Sequence, residues 1–312
     1  MPEPQLHHVL CPNSVNDRGA GHHMAYWQWG NPQATHVVLC VHGLSRQGRD
    51  FDVLSQAMVE RAAGNVSVIC PDVVGRGQSD WLADPALYQL GTYAADMVAL
   101  LEQLSPRPTD LDWVGTSMGG LIGMLLCGHP QSALPMPFRR LVLNDVGPTI
   151  DPGALKRIGQ YLGQGMRFDT LQAAADALWS THHTFGPHTP QQWLALCRHM
   201  VKPLSPGGVD TGPVALHYDP AIAQAFGAST PEAVAQGEAL LWQLYDHISA
   251  QTLLLRGAQS DLLSAQTALA MGQRGPKAQL MEFSGVGHAP TVIAPDQVHA
   301  VLSFLFDSPP SQ

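Results

Sequence analysis

The 312-residue chain is poor in lysine: of 16 basic side chains, only Lys156, Lys202 and Lys277 are lysines, and 25 acidic residues leave a formal net charge of −9. No basic run occurs, so neither nucleic acid nor an anionic membrane is expected as a partner. No apolar run approaches the roughly 20 residues that span a bilayer, and the start, Met1 to Gln5, lacks the basic and apolar stretches of a signal peptide. Cysteine is also scarce. The five, Cys11, Cys40, Cys70, Cys127 and Cys197, are odd in number and widely spaced, which argues against a disulfide framework or a zinc site and for buried free thiols in a reducing compartment. The expectation is a water-soluble cytoplasmic protein. The histidine doublets His7-His8, His22-His23 and His182-His183 lack metal-ligand spacing, and no metal or cofactor is expected.

Hydrophobic residues make up 45% of the chain, enough for one large core with an insertion. Residues up to about Pro32 suggest a hairpin, with 24–29 as its clearest strand. Val37 to Val41 is a continuous apolar run of strand length, as in a sheet covered on both faces. Further strands are expected at 66–70, ending at Val114, and at 141–143, 252–255 and 280–283. Helices are expected through Phe51 to Val59, Met97 to Leu104 and Val298 to Leu305. Strands alternating with helices predict an α/β fold with a mostly parallel sheet and helices on both faces. Between Pro148 and His247 the strand rhythm stops, and helical stretches at 154–162, 170–180, 190–200 and 231–246 take over. This is too long for a loop. The expected organisation is a core from 1–147, a helical cap from 148–248 and a second core segment from 249–312, with a frayed tail after 307.

Gly115-Thr116-Ser117-Met118-Gly119 lies between the strand ending at Val114 and an apolar helix. A serine between two glycines at such a turn is a nucleophile elbow: the turn lifts the serine oxygen clear of the sheet and aims it at the helix N-terminus. Other motifs follow in order: His42-Gly43 after the third strand, Asp72 to Ser79 after the fourth, Arg256 to Asp261 after 252–255, and Gly285-Val286-Gly287-His288-Ala289-Pro290 after 280–283. From about residue 24 to 306 the chain resembles the α/β-hydrolase superfamily.

That resemblance implies a Ser-His-Asp triad with backbone oxyanion donors. Ser117 is the expected nucleophile and His288 its base; His42, the rival base, is expected to order the oxyanion loop. Asp261 is assigned as the orienting acid because Gly257 and Ser260-Asp261 fit the family pattern. Asp145, which follows the strand 141–143, is the competitor. The oxyanion donors are expected to be the N–H groups of Leu44 and Met118. Arg46 and Trp81 are candidate substrate contacts, with Arg46 also able to pair with Asp50 or Asp72. Residues 72–80 are expected to form a turn that supports the oxyanion loop.

A serine at the elbow, where dehalogenases and epoxide hydrolases carry aspartate, implies an acyl-enzyme. The expected activity is hydrolysis of a small to medium carboxylic ester or lactone in an enclosed pocket. A C–C bond hydrolase of the meta-cleavage type, which shares the step Ser117-Met118-Gly119-Gly120, is the alternative enzyme. A non-catalytic ligand receptor on the same fold is the alternative of another class. Oligomeric state is not readable.

Overall fold

A computed structural model describes residues 3–12, 21–225 and 231–307. The tail from 308, expected to fray, lies outside the described residues. In chain order the elements are β1 (Gln5–Cys11), β2 (His22–Gly30), β3 (His36–Val41), α1 (Asp52–Arg61), β4 (Ser67–Pro71), α2 (Leu90–Gln103), β5 (Asp110–Thr116), α3 (Met118–Gly128) and β6 (Arg140–Asn144). Then come α4 (Pro152–Tyr161), β7 (Arg167–Phe168), α5 (Leu171–His182), α6 (Pro190–Met200), β8 (Val201–Pro203), β9 (Val214–Leu216), α7 (Ile222–Ala225) and α8 (Pro231–Asp246). The chain returns with β10 (Gln251–Gly257), α9 (Ala265–Met271), β11 (Gln279–Phe283) and α10 (Pro295–Leu302).

Eight strands form one sheet in the order β1-β2-β4-β3-β5-β6-β10-β11. β1 and β2 form the expected antiparallel hairpin, β2 is antiparallel to β4, and all later pairings are parallel. The apolar runs are explained by the two cores that this sheet separates. Val37, Leu39 and Val41 enter one cluster while Val38 and Cys40 enter the other. Leu141 and Leu143 likewise divide from Val142, and Leu254 from Leu253 and Leu255. With both faces covered, alternation has no polar side to show, and each buried Val or Leu contributes roughly 1.5–3 kcal/mol.

After β3 the chain runs outward to β4 and then crosses back to β5, on the other side of β3. The loops leaving β3 and β5 therefore diverge and open a crevice at the carboxyl ends of the strands, where ligands bind in such sheets. The segment between β6 and β10 differs from expectation in one respect. It contains the anticipated helices but also a small antiparallel sheet, β7-β9-β8. Its strands are only two or three residues long, too short for a periodic signal. No helix among the described residues is long and apolar enough to cross a membrane. All five cysteines are free.

Candidate active site

Ser117 sits between β5 and α3 with φ 51° and ψ −114°, a strained conformation for a residue with a side chain. The surroundings enforce it. A Cβ at Gly115 would stand 2.4 Å from the Gly119 carbonyl carbon, and one at Gly119 would stand 2.0 Å from the Val41 oxygen. Trp113 Nε1 donates to the Gly119 oxygen at 3.1 Å, and the Ser117 N–H donates to the Asn144 oxygen at 3.0 Å. The turn is thus pinned to β3 and β6, and the hydroxyl projects at the start of α3.

His288 Nε2 lies 3.0 Å from Ser117 Oγ. Its other nitrogen, Nδ1, lies 2.8 Å from Asp145 Oδ2. Here the structure corrects the assignment of the acid. Asp261 does not reach the imidazole: its carboxylate is half-exposed and paired with Arg157 through contacts of 2.7 and 2.9 Å. Asp145, fully buried, holds the position instead. It stands just after β6 with φ 57°, a left-handed conformation that Asp tolerates better than most residues. Its Oδ1 accepts the Gly257 N–H at 2.8 Å and its Oδ2 the Ser260 hydroxyl at 2.6 Å. The segment 256–261 thus fits the family pattern as a cradle: it supplies the donors that hold a carboxylate carried by the neighbouring strand. Ser260 was the missed residue, and its place directly before Asp261 in a post-strand turn was the available signal.

His42 is buried, and its pKa is pushed down to about 3 by that burial. Its Nε2 accepts the Val73 N–H at 2.9 Å, which leaves Nδ1 to donate to the Gly43 oxygen at 2.7 Å. Both nitrogens are committed to ordering the loop, so no lone pair faces Ser117. Arg76, also buried, continues the support: Nε donates to the Leu44 oxygen at 2.8 Å and Nη1 to the Val74 oxygen at 2.7 Å. Asp72 accepts the Gly48 N–H at 2.7 Å and the Gln78 N–H at 2.9 Å. Residues 72–80 therefore form the supporting turn expected of them. The N–H groups of Leu44 and Met118 have no hydrogen-bond acceptor among the described residues, and both residues border the same cavity as Ser117.

The two expected substrate contacts lie elsewhere. Arg46 is a buried ion pair with Asp50, at 2.6 and 2.8 Å, and does not line the cavity at Ser117. Its guanidinium is satisfied by the i,i+4 carboxylate, the alternative that spacing allowed. Trp81 is 45% exposed and carries the Lys202 ammonium 4.3 Å from its ring centroid; it too stands outside the cavity.

That cavity measures about 690 Å³. Leu44, Met118 and Leu121 line it, together with Leu155, Ile158 and Ile222 from the segment between β6 and β10. Among the described residues, no lysine or arginine lines it, and Asp84 is its one carboxylate. Apart from this site, Cys11, His22 and Asp96 bring donor atoms within 4.8 Å of one another. His22 Nε2 already lies 3.0 Å from Asp96 Oδ2, so the trio is satisfied as a polar staple between the β1–β2 hairpin and α2.

Comparison with known proteins identifies the family. The sequence pattern of the alpha/beta hydrolase family matches residues 38–301. A curated relative, the 3-hydroxybutyrate-oligomer hydrolase of Cupriavidus necator, is 46% identical over 295 residues, which is 95% of each chain. Among solved structures, an alpha/beta hydrolase from Novosphingobium aromaticivorans is 34% identical with a TM-score of 0.78, covering 98% of this chain and 99% of its own. A structure from Rickettsia typhi is 26% identical with a TM-score of 0.81, covering 99% of this chain and 100% of its own. With its crevice, its elbow and these relatives in register, the chain belongs to the alpha/beta hydrolase family and is a hydrolase.

Proposed function

We propose that the protein hydrolyses carboxylic esters of short hydroxyalkanoate oligomers through an acyl-enzyme on Ser117. The observation that carries this reading is the continuous relay from Ser117 Oγ through His288 to Asp145, at 3.0 and 2.8 Å. A free serine hydroxyl is a poor nucleophile and needs a base in contact. Asp145, as an acceptor only, fixes the proton of His288 on Nδ1 and leaves the Nε2 lone pair facing Ser117. His288 takes the hydroxyl proton as Oγ attacks the ester carbon. The N–H groups of Leu44 and Met118 receive the oxyanion, and having no other acceptor they need no reorganisation to do so. Collapse of the tetrahedral species expels the alcohol, which takes the proton back from His288. Water then repeats the sequence and releases the acid. Residues 148–248, read as a cap, close the pocket over this chemistry.

Two observations support the substrate class. The 46% identical relative is a 3-hydroxybutyrate-oligomer hydrolase, and the cavity offers a largely apolar wall with no lysine or arginine among the described residues. The interior of such an oligomer is uncharged, with methyl groups for the wall and ester carbonyls for the oxyanion donors. The free terminal carboxylate has no partner inside and belongs at the mouth. The test is release of monomer from the 3-hydroxybutyrate dimer and trimer by wild type and Ser117→Ala. Turnover is expected in wild type, with a loss of about 10³-fold or more in the variant. A wild type that turns over neither oligomer, or an active Ala variant, would overturn the reading.

A further inference from the structure

The loop that carries His288 is gripped on both sides by the inserted segment. Directly before the histidine, the Gly287 N–H donates to the Thr184 oxygen at 2.5 Å. Three residues after it, Thr291 Oγ1 lies 3.0 Å from His188 Nε2. His188 Nδ1 lies 2.8 Å from the Gly186 oxygen, a carbonyl that can only accept. The proton of His188 is therefore on Nδ1, and Nε2 accepts the Thr291 hydroxyl. Burial lowers the pKa of His188 and keeps the imidazole in this neutral form.

Close packing reinforces the grip. A Cβ on Gly287 would stand 2.9 Å from the Thr184 oxygen, and one on Gly186 (φ 100°) 2.8 Å from Val286 Cγ2. Behind the contact, the His188 ring meets Trp179 and Trp193 edge to face, at centroid distances of 6.3 and 6.0 Å. Buried Trp193 donates from Nε1 to the Ala175 oxygen at 2.8 Å, which ties the ring stack to α5. The anchor is thus a cluster of aromatic rings.

We infer that residues 184–188 form a clamp that sets the position of His288, with His188 and Thr291 as its positioning pair. The inference rests on the triad reading above. Neither residue touches the reacting atoms; they act through the loop 286–291. The alignment of Nε2 with Ser117 then depends on how the inserted segment is seated. A displacement of the segment large enough to break these bonds loosens the base, so that the triad is complete when the pocket is covered.

The test uses the full chain and reads two quantities: steady-state constants on a p-nitrophenyl ester, and the rate at which a fluorophosphonate labels Ser117. Removing one hydrogen bond while keeping shape, Thr291→Val is expected to lower kcat and the labelling rate together, by about tenfold, because small misplacements of a catalytic group are costly. KM should stay within about twofold, since neither residue lines the cavity. Thr291→Ser, which keeps the hydroxyl, should restore both rates. Independently, His188→Leu should match Thr291→Val, His188→Gln should recover part of the loss through its amide oxygen, and the Leu/Val double variant should be no worse than either single one. Wild-type rates in Thr291→Val and His188→Leu would overturn the clamp, as would a Thr291→Ser as slow as the Val variant. If Thr291→Val does not fold, the His188 pair decides alone by the same criterion. Failure of the triad reading looks different: wild type itself would escape labelling at Ser117, or His288→Ala would label at the wild-type rate.

Discussion

At the scale of single residues, the site turns on where one negative charge is buried. Asp145 and Asp261 both follow strands whose carboxyl ends face the crevice, and both stand near the imidazole in any sketch of the sheet. What separates them is their partners. Asp261 has a solvated Arg157 beside it. Asp145 has three donors, from Gly257, Ser260 and His288, and no water-facing surface. A carboxylate sealed from solvent must be met by hydrogen bonds. Ser260→Ala removes one of these while leaving the backbone in place. Hydrogen bonds to charged groups contribute about 1.5–3 kcal/mol, and Ser260 Oγ also accepts the N–H of Leu263 at 3.1 Å. The variant should lose about tenfold in kcat and melt at a lower temperature, with Ser260→Thr close to wild type. Parallel kinetics and thermal melts check this. Unchanged kcat in Ser260→Ala would show that the hydroxyl does not support the acid.

At the scale of elements, legibility in the sequence followed period and punctuation. The strands through Val38, Val68, Val142 and Leu254 were readable because burial on both faces leaves an unbroken apolar run. The elbow was readable because Gly115 and Gly119 are required by contacts of 2.4 and 2.0 Å that any Cβ would make. The small sheet of the inserted segment escaped, since strands such as Arg167–Phe168 have no room for a period. Asp145 escaped for a different reason. A motif records that a turn is needed after β10, and that turn is present; which side chain it serves is a matter of register between β10 and β6, where Leu255 pairs with Asn144, directly before Asp145. Arg46 and Trp81 were misplaced by the same limit: side-chain partners four residues away, as for Arg46 and Asp50, or far along the chain, as for Trp81 and Lys202, carry no signature that marks them as already satisfied.

At the scale of the whole molecule, several imidazoles are held neutral by the fold. Burial pushes the pKa of His42 and His182 down to about 3, and that of His199 and His217 to about 4. In the unfolded chain each returns to the ordinary value of about 6.5. The unfolded state therefore binds more protons between these limits, and stability rises with pH there. The contribution is full above about 6.5 and is lost as pH falls through about 4 and then about 3. Melting temperature should accordingly fall below pH 6.5, with roughly two extra protons taken up on unfolding near pH 5: about four by these imidazoles, less about two that Asp52 and Asp72 hold in the folded state because burial pushes their pKa up to about 6. Calorimetry in buffers of different ionisation enthalpy reads that uptake. A flat melting temperature from pH 7 to 4.5 would contradict it.

The proposed triad is a property of the whole fold: Ser117, Asp145 and His288 are contributed by three loops far apart in the chain and meet only when β5, β6, β10 and β11 lie side by side. The most direct test of this assembly compares kcat of Asp145→Asn and Asp261→Asn on the same ester. An asparagine at 145 can present its amide N–H₂ to Nδ1 and stabilise the wrong tautomer. The account predicts a loss of about 10³–10⁴-fold in kcat for Asp145→Asn and near wild-type turnover for Asp261→Asn, with both variants folded. A crippled Asp261→Asn beside an active Asp145→Asn would contradict it.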